Sequence, residues 1–205
     1  MALIEREDAL TILGNDRLVG IYRVVSNAWG VYQSYPIELR IDHSVRSRAS
    51  LLHDHMISGA AKYAGQAAGI QIVERKKLYL FVVDAKLAIR FKKFDEELRT
   101  SNNPTGQVHK FKNQVQLPGI EAAHNLESGY ILSEDGQSIQ AIHLVCPSGR
   151  GIYWDVLLTE STQTTVVEDL FSKKIATEES DEGARVKRRE EAKIIRLVKN
   201  DHTKS

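Results

Sequence analysis

The chain has 205 residues, of which 42% are hydrophobic and 27% charged, with a formal net charge of +1; this is ordinary globular usage and excludes disordered and collagen-like classes. Typical domains run to about 100–150 residues, so the length fits one substantial core with an appendage. No run reaches the roughly 18 uncharged apolar residues of a membrane helix, Glu5, Glu7 and Asp8 stand where a signal peptide has its apolar run, and Cys146 as the single cysteine excludes an intramolecular disulfide or a cysteine zinc site within one chain. A cytoplasmic protein without a membrane partner is expected.

In chain order, Leu18, Ile21, Tyr22, Val25, Trp29 and Tyr32 recur at spacings of three and four, which predicts a helix over 16–35 stopped by Pro36. Ile37, Leu39 and Ile41 alternate with Glu38 and Arg40, the period of a short strand or an extended connection. Ser44 is an N-cap for a second helix running to about Ala68, with Ala49, Leu52, Met56, Ala60, Tyr63 and Ala67 on one face and Gly69 at its end. The period then changes. Leu78–Val83 is a continuous apolar run, Asp84-Ala85-Lys86 interrupts it, and Leu87, Ile89 and Phe91 alternate with Arg90 and Lys92, which predicts a β-hairpin.

Asn103-Pro104 opens a short helix carrying Val108, Phe111 and Val115, ended by Leu117-Pro118-Gly119. Strands are predicted near 129–133, 138–146 and 152–158, joined by turns at Asp135-Gly136 and at 148–151. Thr165-x-x-Glu168 has the form of a capping box before Val167, Leu170, Phe171 and Ile175, residues 178–182 are mostly acidic, and a last basic helix is predicted over 183–199. The fold class that follows is α+β: N-terminal helices packed on an antiparallel sheet of about five strands, a hairpin plus a meander. The core domain is placed at 1–160, and a charged helical tail at 161–205.

Charge is distributed unevenly. Residues 70–112 hold ten Lys/Arg against five Asp/Glu, and residues 113–160 hold one against six, a polarity that orients an anionic partner or is satisfied by contact between the two segments. Arg46 and Arg48 fall in the first turn after Ser44, where a cation opposes the helix dipole at about 0.3–1 kcal/mol unless an anion answers it. Asp42 or Glu38 is one such answer, and a phosphate or an acidic partner is the other. Arg90 and Lys92 share one face of the predicted hairpin, with Lys93 opposite and Arg75-Lys76-Lys77 at its far end; a basic strand face holds phosphates or is simply solvated.

Asp84-Ala85-Lys86, with Glu74 upstream, has the form of the two-acid-plus-lysine set of Mg²⁺-dependent nucleases. Glu191-Ala192-Lys193 fits the same pattern inside a helix, so the pattern also arises by chance, with Asp84 as a turn residue. Mg²⁺ is the cofactor under that reading only. His53 and His55 flank Asp54, but residues two apart on a helix diverge and cannot chelate one ion; His53 reads as a core-edge histidine, and His43, His109, His124 and His143 have no partner by spacing. Cys146 reads as a small buried hydrophobe. There is no Gly-rich phosphate loop, G-x-S-x-G elbow or H-E-x-x-H helix.

The strings RSRASLLHDHMISGAAKYA, IRFKKFD, NNPTGQV, LPGI and SGYILSEDGQSI, spanning about residues 44–140, resemble a family of bacterial and phage proteins encoded beside XRE-type repressors or ImmA/IrrE-like metallopeptidases. The resemblance carries over no catalytic residues; it implies a mobile-element, toxin–antitoxin or phage-defence setting. The function expected is an interaction protein whose basic face, Arg46, Arg48, Arg90 and Lys92, meets an acidic protein or nucleic acid. The alternative is a Mg²⁺-dependent nuclease using Glu74, Asp84 and Lys86.

Overall fold

The computed structural model describes residues 3–75, 77–100, 105–120, 122 and 124–160. The capping box at 165 and the helices expected beyond it lie outside the described residues, as do Asn103 and Pro104. Within the described chain the elements run α1 (Arg6–Gln33), α2 (Ile37–Asp42), α3 (Val45–Ala64), β1 (Ile70–Arg75), β2 (Leu78–Val83), β3 (Leu87–Lys93), α4 (Gly106–Lys112), β4 (His124–Leu132), β5 (Ile139–Ser148) and β6 (Gly151–Leu157). The fold is α+β, with helices first and a largely antiparallel sheet after them.

The apolar stripe read over 16–35 belongs to a longer helix. α1 starts at Arg6 and bends at Gly14, whose φ of 63° and ψ of 167° break the helical run, a conformation open to a residue without a Cβ. Ser44 caps α3 as expected, its Oγ accepting the Ser47 backbone N–H at 3.1 Å. The Ile37–Ile41 alternation forms a single and a half turns of helix instead of a strand, and none of its residues is buried. Pro36, with its fixed φ, leads the chain into that turn, so the alternation never had a sheet to answer to.

The sheet has six strands in chain order, β1 to β6, one more than the expected five. β1 is the addition. It pairs antiparallel with β2 along its full length, from Ile70 opposite Val83 to Arg75 opposite Leu78. β3 and β4 are parallel over Leu87–Lys93 and His124–Tyr130, which corrects the all-antiparallel expectation. A parallel pair needs a crossover, and the segment carrying α4 supplies it.

That crossover gives the sheet two covered faces. On one, α1 and α3 bury Leu18, Ile21, Leu52 and Met56 against Phe81, Ile89, Phe91, Leu126 and Leu144. On the other, Phe111 of α4, with Leu117, Ile120 and Ala122, covers Leu80, Val82 and Ala88. The apolar residues thus run almost continuously along β2 and β3 because both faces are buried, as expected of strands inside a layered α/β/α arrangement. α4 is held by its ends: Thr105 Oγ1 accepts the Val108 N–H, and the Gln114 amide at the other end donates to the carbonyls of Asn125 at 2.8 Å and Pro147 at 2.9 Å.

Candidate anion-binding site

β2 pairs with β3 only through Phe81–Val83 and Leu87–Ile89. Beyond that ladder β2 stays with β1 down to Leu78, and β3 stays with β4 up to Lys93. The sheet therefore splays between residues 78–80 and 90–93, and two of the cations singled out from the sequence, Arg90 and Lys92, stand on the opened stretch of β3.

Arg90 does not lie on a solvated strand face. It is 4% exposed, because α4 covers this side of the sheet and sets the Phe111 ring 4.9 Å from the guanidinium carbon, a cation–π geometry. Its register partner is Glu127, itself 2% exposed, with Arg90 Nη1 and Glu127 Oε1 3.6 Å apart. Thr100 Oγ1 donates to Glu127 Oε2 at 3.2 Å, and Lys112 Nζ donates to the Thr100 carbonyl at 3.4 Å. The ion pair joins the basic segment of the chain to the acidic one, so part of the charge polarity in the sequence is satisfied internally.

Lys92 follows two residues on, on the same face, and its register partner is Gly129, which offers no side chain. Burial pushes its ammonium well below the ordinary lysine value, to about 8; Arg90 and Lys112 push the same way and Glu127 opposes them. Among the described residues Glu127 is the one carboxylate acting on Lys92 and on Arg90. Among the described residues, Glu127 thus acts on both Arg90 and Lys92, and Lys112 acts on Lys92, in a partly dehydrated place. His53 reports the same field from α3, on the other face: burial first, then Lys92, lowers its pKa, Asp54 opposes, and Arg90 adds to the lowering.

Arg46 and Arg48 fall elsewhere. Both are on the first turn of α3, where Arg48 Nη1 donates to the Gly136 carbonyl at 2.9 Å, so a backbone oxygen of the β4–β5 turn answers this cation, where Asp42 or Glu38 was one expectation. Arg48 lines a shallow cavity of about 530 Å³ with Lys93 and Arg99, but Asp95, Glu96, Glu97 and Glu134 line it too, which leaves no excess of positive charge. The four cations expected on one face are divided: Arg90 and Lys92 converge under α4, and Arg46 and Arg48 stand on the α3 side.

The nuclease set does not converge. Asp84, in the left-handed region at φ 50° with Ala85 at 53°, forms the β2–β3 turn, closed by the Lys86 N–H on the Val83 carbonyl at 2.9 Å. Its carboxylate accepts Arg17 Nη1 at 2.6 Å. Glu74 is four residues along β1 from Ile70, the partner of Val83, a separation of about 13 Å at the strand rise, and it faces Tyr79 across the β1–β2 pair, raising that hydroxyl's pKa. Among the described residues no cluster of three His, Cys, Asp or Glu side chains is arranged to hold a metal ion.

Sequence reasoning missed Glu127, Lys112 and Thr100. Glu127 carried little signal of its own: its neighbours Asn125, Ser128 and Gly129 are not apolar, so nothing in the local pattern marked it as buried. Spacing also hid the histidine partners, since Asp155 meets His143 Nδ1 at 3.0 Å from the neighbouring strand and Tyr35 meets His55 Nε2 at 2.8 Å. Cys146 is fully buried, and burial pushes its thiol up to about 12, which suits a packing residue. A larger cleft of about 760 Å³ opens between α1 and α3, with Asp16, Arg23, His55 and Lys62 among its lining residues. Its charges are of both signs and none is buried.

No helix among the described residues is long and apolar enough to cross a membrane. No family model matches the chain, and neither a curated protein nor a solved structure does.

Proposed function

We propose that this chain is a cytoplasmic interaction protein of a bacterial or phage mobile-element, toxin–antitoxin or defence system, and that it grips an acidic protein or a nucleic acid at the end of β3. The observation that carries the reading is the placement of the buried Arg90 and the partly buried Lys92 on one face of β3 under α4, with Lys112 acting on Lys92. A partly buried surplus of cations raises the free energy of the unliganded protein, and an anion that enters lowers it.

The test is fluorescence anisotropy with a short single-stranded DNA, its duplex and a poly-glutamate peptide, each titrated at about 50 and 200 mM salt. Binding of one of the three that weakens steeply with salt is the expected result. Absence of binding to all three at the lower salt, or binding indifferent to salt, sinks the reading. The alternative, a Mg²⁺-dependent nuclease working through Glu74, Asp84 and Lys86, draws no support from the placement of those residues, since Arg17 already holds Asp84 and Glu74 stands four residues along β1 from the strand position opposite Val83.

A further inference from the structure

We propose that β1 is an open pairing edge that takes a second copy of this chain, the two β1 strands meeting antiparallel about a two-fold axis at Ile72 so that two sheets become one. This contact lies at the edge of the sheet and is independent of the anion-binding reading at the end of β3.

The two edges of the sheet, β1 and β6, are unlike. At β6 the Leu158 N–H donates to the Ile142 carbonyl at 2.8 Å, so Val156 and Trp154 turn their backbone groups to β5 and Asp155 turns its own outward. That edge is guarded. Asp155 sets a charge on it, the register shifts between Cys146 and Pro147, and the N-terminal segment is fastened to it by Trp154 Nε1 on the Ile4 carbonyl at 2.8 Å and by the Tyr153 hydroxyl on Glu5 at 2.6 Å. Charges, bulges and covering segments are the devices that keep an edge from pairing.

β1 lacks them over most of its length. Its ladder with β2 runs without a shift from Ile70 to Arg75, and it contains neither Pro nor Lys. The Asp84 N–H donates to the Gly69 carbonyl at 2.7 Å, which fixes the alternation: Gln71, Val73 and Arg75 bond to β2, while Ile70, Ile72 and Glu74 turn N–H and C=O away from it. Among the described residues nothing bonds to those outward groups. Both apolar layers reach this edge, Ile72 against the core under α1 and α3 and Val73 against the layer under α4. The two side chains are nevertheless only partly buried, because no strand flanks them.

Charge selects the occupant. β1 carries Glu74 and Arg75, of opposite sign, at one end. About an axis at Ile72 the strands run opposite ways, so Ile72 faces its own copy, Gln71 faces Val73 and Ile70 faces Glu74, and no like charges are opposed. The same operation centred on Asp155 of β6 sets carboxylate against carboxylate. Pairing of β1 with β6 of another copy, which propagates into a filament, meets the guarded edge, so the assembly closes as a dimer.

Sedimentation velocity from about 1 µM to about 1 mM reads the assembly, and the mass is expected to rise from one chain to two and stop there. Hydrogen exchange locates it: the amides of Ile70, Ile72 and Glu74 are expected to be fast in the dilute protein and protected in the concentrated one, with Gln71, Val73 and Arg75 protected throughout. Ile72→Cys should link the copies under mild oxidation, since residues opposed in a bonded antiparallel pair have Cα atoms about 5.5 Å apart, within disulfide reach. Glu74→Cys, about 13 Å along the strand from its counterpart, should not. Cys146 is fully buried and leaves the result to the introduced thiol. Glu74→Pro removes an outward donor and spares the β2 ladder; it should raise the dimer dissociation constant at least about tenfold while the circular dichroism stays that of the parent.

A single chain's mass at every concentration, linkage through Glu74→Cys in preference to Ile72→Cys, or a dimer untouched by Glu74→Pro overturns the pairing. Amides of Ile70, Ile72 and Glu74 that are already slow in the dilute monomer show the edge covered within the chain, and overturn it as well. Each of these results leaves the outcome of the anion titrations where it stands.

Discussion

Replacing Lys92 with methionine should make the protein more stable at neutral pH, although it deletes a polar group from a cluster of polar groups. Lys92 titrates near 8 in the folded chain, against an ordinary lysine value of 10.5, a displacement equivalent to about 3 kcal/mol carried by the folded state while the ammonium is charged. The side chain keeps some solvent contact, so about 1–2 kcal/mol is the gain expected when a methionine of similar length takes its place at pH 7. The direction with pH follows from the lowered value. Below about 8 both folded and unfolded chains hold the proton and the full penalty is present; between about 8 and 10.5 the folded chain gives up its proton first, so the parent protein gains stability as pH rises through that window. The groups facing Lys92 are Arg90 on its own strand, Lys112 on α4, Glu127 on β4 and His53 on α3. The assay is urea denaturation of parent and variant at pH 7 and again near pH 10. The methionine variant should be ahead at pH 7 and the gap should close by pH 10; a variant less stable than the parent at pH 7, or a gap that ignores pH, refutes the reasoning.

The partner residue behaves oppositely. Glu127→Gln leaves the buried Arg90 guanidinium without its carboxylate and should destabilise by about 3 kcal/mol, read by the same denaturation at pH 7. Gly129→Ala places a methyl group against the Lys92 backbone carbonyl across the parallel pair, where neither strand can yield without parting; a loss of about 3 kcal/mol is expected by thermal melting.

Much of the frame was legible because local chemistry and burial agree. Ser44 caps α3, the α1 stripe faces the sheet, and Asp84 turns the β2–β3 hairpin where the interruption of the apolar run placed it. The readings that failed share one cause, an assumption about which faces are covered. Alternation at Ile37, Leu39 and Ile41 is a strand signal only when one side is buried, and here all three are more than half exposed. Arg90 was assigned to solvent because a hairpin was expected to bury one face; the parallel pairing of β3 with β4, which a single sequence does not reveal, carries α4 over the second face and buries it. β1 was overlooked because Ile70–Arg75, between the end of the second helix at Gly69 and the apolar run from Leu78, was given no element; its burial is only partial beyond Ile70, so it shows no strong period of its own.

α4 is only seven residues long, too short to persist by itself in water, and it owes its place to Gln114 reaching two strands at once. Yet it supplies both the aromatic lid over Arg90 and Lys112, which acts on Lys92. Detaching those roughly two turns of backbone would flood the guanidinium with water, release Lys112 and relax Lys92 in a single event. Recognition and local order are thereby tied to the same small latch.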